Sequence, residues 1–333
     1  MERMGVPPVA ADIVRTYLES LDGAAPGLVE GLYLIGSVAL ADYRPGTSDV
    51  NFVAVTQRSP DQSTVDIYDR AHEAVRDAHH GPNFDGIYVT WSELAADPRW
   101  CAPGPQSYAG HLHPASRAER HPVTWHLLAH HGVAVRGPAP HKLAVWTDPA
   151  ILAACARDDL YGYWRSWHRR HSRIVAARGL AGLRTSALAE GVLVVSRLHH
   201  TAVHGTIVSK GGAAGYALET FDPRWAPIIQ ESLRIRRDEP PRRGPHLKTS
   251  RHTPMRRRAE ALGFVAMAID HLRQALPDED PPVDSPVVPP TVPEPVADPP
   301  EPAPEPAQDT GTPAVPAPRR GTGTESLATQ PSR

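Results

Sequence analysis

Seventeen of the 37 prolines in this 333-residue chain fall after Leu276, and that distribution decides where a packed fold can lie. Residues 277–333, which include PPVDSPVVPPTVPEPVADPPEPAPEP, carry almost no large apolar side chains. Such a segment cannot bury enough apolar surface to offset its ordering entropy. It is expected to be disordered, with polyproline-type stretches acting as a stiff spacer, and its composition also suits a ligand for a proline-binding protein module. The chain is long enough for two domains and a sizeable core, and the core is expected to lie within residues 1–276.

The tail also masks the charge of the rest. The whole chain is −2, but residues 277–333 hold ten acids and three bases, leaving a body of +5. A mildly positive body suits phosphate-bearing ligands. Arginine outnumbers lysine 32 to three, and only Lys142, Lys210 and Lys248 are present. The basic runs RIRRDEPPRRGP and Arg256–Arg258 lack interleaved aromatics and any nucleic-acid motif, so they read as solvated helix ends and not as a nucleic-acid surface. Two distant cysteines, Cys101 and Cys155, argue for a reducing compartment and against a disulfide framework. With no basic-then-apolar leader and no uncharged apolar run approaching 18 residues, the chain is expected to be cytoplasmic, without a membrane partner.

Periodicity divides the remaining chain into two characters. Residues 10–21 have helical spacing and stop at Asp22-Gly23. A strand is expected at 32–35, a short helix at 38–42, a strand at 50–55, a helix at 62–81 and a strand from 87 after the turn-like PNFDG. A helix over HPVTWHLLAHHG and a short strand VAVRGP follow. Strand–helix alternation of this kind is an α/β unit. From Asp148-Pro149, an N-cap followed by proline, helices are expected near 149–178, 185–204, 209–219, 223–236 and 254–275. The second has the clearest stripe, Leu188, Val192, Val195, Leu198 and Ala202. The expected architecture is a mixed α/β domain over 1–145, a helical bundle over 146–276 and a disordered tail over 277–333.

The chemistry-bearing stretch is LYLIGSVALADYRPGTSDVNFVAV, residues 32–55. Gly36 after an apolar strand permits close backbone approach, and Ser37 with the following amides can hold phosphate oxygens. Ser48 lies 11 residues beyond Ser37, and Asp49 and Asn51 enter the next strand two residues apart, pointing the same way.

An apolar strand, Gly-Ser, this interval and then Asp-apolar-polar-apolar resemble the nucleotidyltransferase superfamily signature. More narrowly, residues 10–275 resemble the streptomycin/spectinomycin-type aminoglycoside adenylyltransferases, through LYLIGSVALADYRPGTSDVNF, HPVTWHLLAHHGVAVRGP and GVLVVSRLHHTAVHGTIVSKGGAAGYALE. The resemblance implies magnesium-dependent transfer of AMP from ATP to a hydroxyl of an amino-sugar-like acceptor. By position it implies that Gly36, Ser37 and Ser48 meet the triphosphate and that Asp49 holds magnesium. It further implies that Asp85 serves as general base and that Lys210 of VSKGG reaches the phosphates. Trp164 lies near the family's aromatic substrate contact.

The chain departs from the family at two positions. Asn51 stands where the family has a second Asp, which removes a full charge from a site for a hard cation. Asp85 stands where the family has Glu, one methylene longer, and Asp85-Gly86 also reads as a turn. A nucleotide-binding or regulatory protein that kept the fold and lost the second ligand is the competing reading, and a scaffold acting through the tail is a third. Asp158, Asp159, Trp164 and Trp167 in DDLYGYWRSWHRRH offer aromatic faces and carboxylates suited to a polycation, as well as ordinary core tryptophans; Glu190 is a further candidate ammonium partner. His126 and His130 are spaced four apart as for zinc, but no HExxH pattern or nearby Cys accompanies them.

Overall fold

The central strands are apolar on both faces, and that buries them. Gly31–Ile35 (β1) and Phe84–Thr90 (β3) are buried along their whole length, as is Val50–Thr56 (β2) apart from partly exposed Asn51. A computed structural model of the chain describes residues 5–172, 185–240 and 254–276. These three strands form the centre of a six-stranded mixed sheet ordered β5-β4-β3-β2-β1-β6. β1 runs antiparallel to β2, and β2 runs parallel to β3. Gly104–Tyr108 (β4) and His111–Ser116 (β5) extend one side as antiparallel strands, and Val133–Arg136 (β6) closes the other against β1.

Alternation along the strands assigns the two faces. Leu32, Leu34, Phe52, Ala54, Phe84 and Tyr88 pack with Pro8–Ala24 (α1) and Gln62–Ala78 (α3). Tyr33, Ile35, Val53, Val55, Ile87 and Val89 pack with Leu94 of the short helix Trp91–Leu94 (α4) beneath Pro122–His131 (α5), around Trp125 and Leu128. Tyr88 is anchored on the first face by its hydroxyl, 2.7 Å from that of Tyr17 and 2.9 Å from His72 Nε2.

The second half is built around Thr185–His204, here α8. Its stripe of Leu188, Val192, Val195, Leu198 and Ala202 is buried as the periodicity requires, against Phe221, Phe264, Val265, Ile269 and Leu272. Lys210–Thr220 (α9), Ala226–Arg236 (α10) and Pro254–Ala275 (α11) surround it. Pro149–Asp159 (α6) continues through a π-helical turn, Leu160–Trp164, into Arg165–Ser172 (α7). No helix among the described residues is long and apolar enough to cross a membrane. The tail, residues 277–333, lies outside the described residues, as do residues 173–178 of the first expected helix.

Local expectations are corrected in three places. The short helix Gly36–Ala39 (α2) begins at the glycine itself and ends before 42. The stretch read as the turn PNFDG is strand from Phe84 on, because pairing with β2 captures Asp85 and Gly86. The β4–β5 hairpin was not anticipated. Its two-residue turn is Ala109-Gly110 with φ of 50° and 76°, the left-handed pair of a type I′ turn, and Ala-Gly is a weaker signal for it than Asn-Gly.

Candidate active site

Topology brings the Gly-Ser turn and both acidic positions to one edge of the sheet. β1 ends there at Ile35, just before Gly36, and β2 and β3, antiparallel to β1, both begin there. In register, Ile35 pairs with Asn51 and Asn51 with Asp85, so the three side by side lie on the α5 face.

Gly36 has φ +65°, and a Cβ built on it would sit 2.8 Å from Asn51 Oδ1. Backbone conformation and close approach both demand glycine at this position. Ser37 follows as the second residue of α2 and accepts the Asp42 N–H at 2.9 Å through its carbonyl. Ser48 is buried, and its hydroxyl accepts the Arg44 N–H at 3.1 Å, so it closes the 44–48 loop. Asp49 is exposed; its Oδ1 accepts the Asn83 N–H at 3.0 Å, and it makes no ion pair among the described residues.

Asp85 is 8% exposed and heavily engaged. Its Oδ2 accepts from Ala109 N at 2.9 Å, and its Oδ1 from Gly110 N at 2.9 Å and Ser107 Oγ at 3.3 Å. It therefore caps the β4–β5 turn. Burial pushes its carboxyl above the usual range and the negative charge of Asp49 adds to this, while the three hydrogen bonds oppose the rise. Tyr108, on the same hairpin, is 36% exposed within electrostatic reach of Asp85 and Asp49.

Lys210 opens α9, with Ser209 as N-cap accepting the Gly212 N–H at 3.0 Å. Its ammonium pairs with Glu190 of α8. Burial lowers the Lys210 pKa and the cations Arg197 and Arg236 lower it further, against Glu190. Burial alone would raise Glu190, but Lys210 holds it below the ordinary carboxylate range.

Sequence reasoning missed Arg197, Arg236 and Asp42. Arg197 lies on the inward side of α8, partly buried, and makes no hydrogen bond or ion pair among the described residues. It is in electrostatic range of Glu190, Arg236 and Glu119. Arg236 is buried against Asp42. The arginine-rich composition hid both, since neither stands out among 32. Lys210 and Arg236 are each paired with a carboxylate, while Arg197 sits among Glu190, Glu119 and Asp159 without a direct ion pair among the described residues; a cation in that state suits an anionic ligand.

Trp164 is brought to a different place. It is 1% exposed in the helical core, packed against Trp167 and against Gly191 of α8, so it presents no face to a ligand. Asp159, one turn earlier, is raised to about 7 by burial and by its neighbour Asp158.

Magnesium takes oxygen ligands, keeps several waters and commonly binds through one or two carboxylates plus substrate phosphates. Among the described residues no group of three or more His, Cys, Asp or Glu converges as a metal cage. Asp49 Oδ2 has no hydrogen-bond partner among the described residues, and the Asn51 amide oxygen stands beside Gly36. Both are oxygen donors of the kind magnesium takes.

No family model matches the sequence, and no curated protein matches it. Among solved structures the chain is similar to spectinomycin adenyltransferase AAD(9) from Enterococcus faecialis, determined with ATP and spectinomycin. The TM-score is 0.55 at 11% sequence identity, covering 79% of this chain and 99% of that one. The likeness is one of fold. The mixed α/β sheet followed by a helical region matches a nucleotidyltransferase-like fold.

Proposed function

We propose that the protein binds a magnesium–ATP complex at the edge formed by Gly36, Ser37 and Asp49, and transfers the nucleotidyl group to a hydroxyl of an amino-sugar-like acceptor. The observation that carries this reading is the convergence of the Gly-Ser turn and the cation-rich start of α9, joined through Asp42. The structural neighbour was solved with ATP and spectinomycin, which supports a nucleotide and an antibiotic-like acceptor as substrate classes.

In this reading the backbone of Gly36 and Ser37 receives phosphate oxygens, a role that a side chain at position 36 would block. Lys210 exchanges part of its contact with Glu190 for phosphate. Arg197, which makes no ion pair among the described residues, stabilises the negative charge that grows on the departing pyrophosphate. When bound, magnesium supplies charge neutralisation at the phosphates, and Asp49 and the Asn51 amide would hold it. Asp85 is the group nearest in kind to a general base. Its elevated pKa favours proton acceptance, while its three hydrogen bonds compete with that role.

That competition, together with the missing charge at Asn51, favours a second reading: nucleotide binding with little or no turnover. Pyrophosphate release from ATP with a panel of aminoglycosides separates the two. Slow wild-type release, abolished by Asp49→Ala and accelerated by Asn51→Asp, supports transfer. If the missing charge weakens transition-state stabilisation by about 4 kcal/mol, the gain approaches a thousandfold. Release only in Asn51→Asp marks a binding protein that lost its chemistry. Calorimetry showing no association with ATP, with or without magnesium, overturns both.

A further inference from the structure

We infer that Asp42 is a positioning residue that clamps the Gly36–Ser37 turn to the helix bearing Lys210, so the two sides of the proposed phosphate site are assembled before nucleotide arrives. This rests on the nucleotide reading for its purpose, but not for its geometry.

Asp42 is 7% exposed and uses every polar atom it has. Its N–H donates to Ser37 O at 2.9 Å, which ties it to the turn. Its Oδ2 accepts the Gly211 N–H at 3.1 Å and Arg236 Nη2 at 3.2 Å, and its carbonyl accepts the same Nη2 at 3.1 Å. Arg44 Nη2 stands 3.5 Å from Oδ1. Gly211 directly follows Lys210, and its N–H is one of the first amides of α9 that no intrahelical carbonyl can accept from. Ser209 takes the Gly212 amide, so α9 shares its N-terminal amides between its own cap and a carboxylate from the sheet domain.

A second feature points the same way. Ala41 has φ +52°, a left-handed conformation that is costly for a residue with a Cβ. The chain leaves α2 through this strained residue and delivers Asp42 into the contact. Arg236, 8% exposed, reaches Asp42 from the far end of α10, so the carboxylate holds two helices of the bundle at once. A buried carboxylate with this many donors has a single low-energy position. Removing it strands Arg236 without its anionic partner.

The test uses the full chain with spin labels on Asp69→Cys and Glu219→Cys, both at exposed positions of the two halves. Without nucleotide the inter-label distance is expected to be one narrow distribution. In Asp42→Ala it broadens toward longer distances, and saturating ATP narrows it again. Asp42→Asn, which keeps an acceptor for Gly211 and loses the charge facing Arg236, falls between. The dissociation constant for ATP is expected to rise about tenfold in Asp42→Ala. If Asp42→Ala does not fold, Arg236→Lys carries the same measurement. An unchanged distribution in a folded variant overturns the clamp. A wild-type chain that binds no ATP, yet loses its narrow distribution in Asp42→Ala, overturns the nucleotide reading and leaves the clamp standing.

Discussion

Asp85 and Gly86 are adjacent residues with opposite requirements. Asp85 turns its carboxylate onto the β4–β5 turn. Gly86 must have no side chain, because a Cβ there would lie 2.1 Å from the Phe52 carbonyl oxygen and 2.7 Å from the Phe52 ring. Gly86→Ala is therefore expected to push β3 away from β2 and destabilise the protein by about 3 kcal/mol or more, read as a fall in Tm. An unchanged Tm would mean that the two strands part easily at this position. Asp-Gly is legible in sequence as a turn, and that reading fails here because a whole strand of partners outweighs the local preference. Asn51, by contrast, was legible as the departure at the site, and its neighbours Gly36 and Asp85 make it central.

Among the elements, α8 was legible because five apolar residues at helical spacing leave one way to bury them. The β4–β5 hairpin was not, because β5 is largely exposed and its turn uses Ala109 where asparagine or glycine is the common choice. Ala109→Asn keeps the amide that Asp85 accepts from and relieves the left-handed strain. It should raise stability by up to about 1 kcal/mol, measured as a higher Tm. A lower Tm would show that the Ala109 methyl is needed in its packing. The π-helical turn at Leu160–Trp164 was also invisible to periodicity. Trp164 closes that turn buried in the core.

Over the whole molecule, buried histidines should govern acid stability. Burial lowers His72 to about 3 and His126 and His199 to about 4. Between those values and the ordinary 6.5, the unfolded chain binds more protons than the folded one. The stability they contribute is thus complete above pH 6.5 and is lost as pH falls toward 4. Asp159, raised to about 7, has the opposite sign: its contribution is complete below the ordinary carboxylate pKa and is lost as pH rises through 7. Tm is expected to drop between pH 6.5 and 4, with a smaller drop in a folded His199→Gln variant. A flat profile through that range would show that these rings charge without cost. The nucleotidyltransferase-like fold unites a sheet and a bundle whose separate characters were visible in periodicity. The contact that joins them at Asp42 was not.

The sequence by itself determined what depends on neighbours along the chain: the strand and helix periods, the glycine that leads from β1 into α2, and the composition of residues 277–333. Tertiary structure alone decided which residues meet. Asp42 finds Gly211 and Arg236 across 169 and 194 positions, and Asn51 finds Asp85 only through strand register. Spacing rules reach about one helical turn or one strand pair, so contacts between distant segments are set only when the whole chain packs.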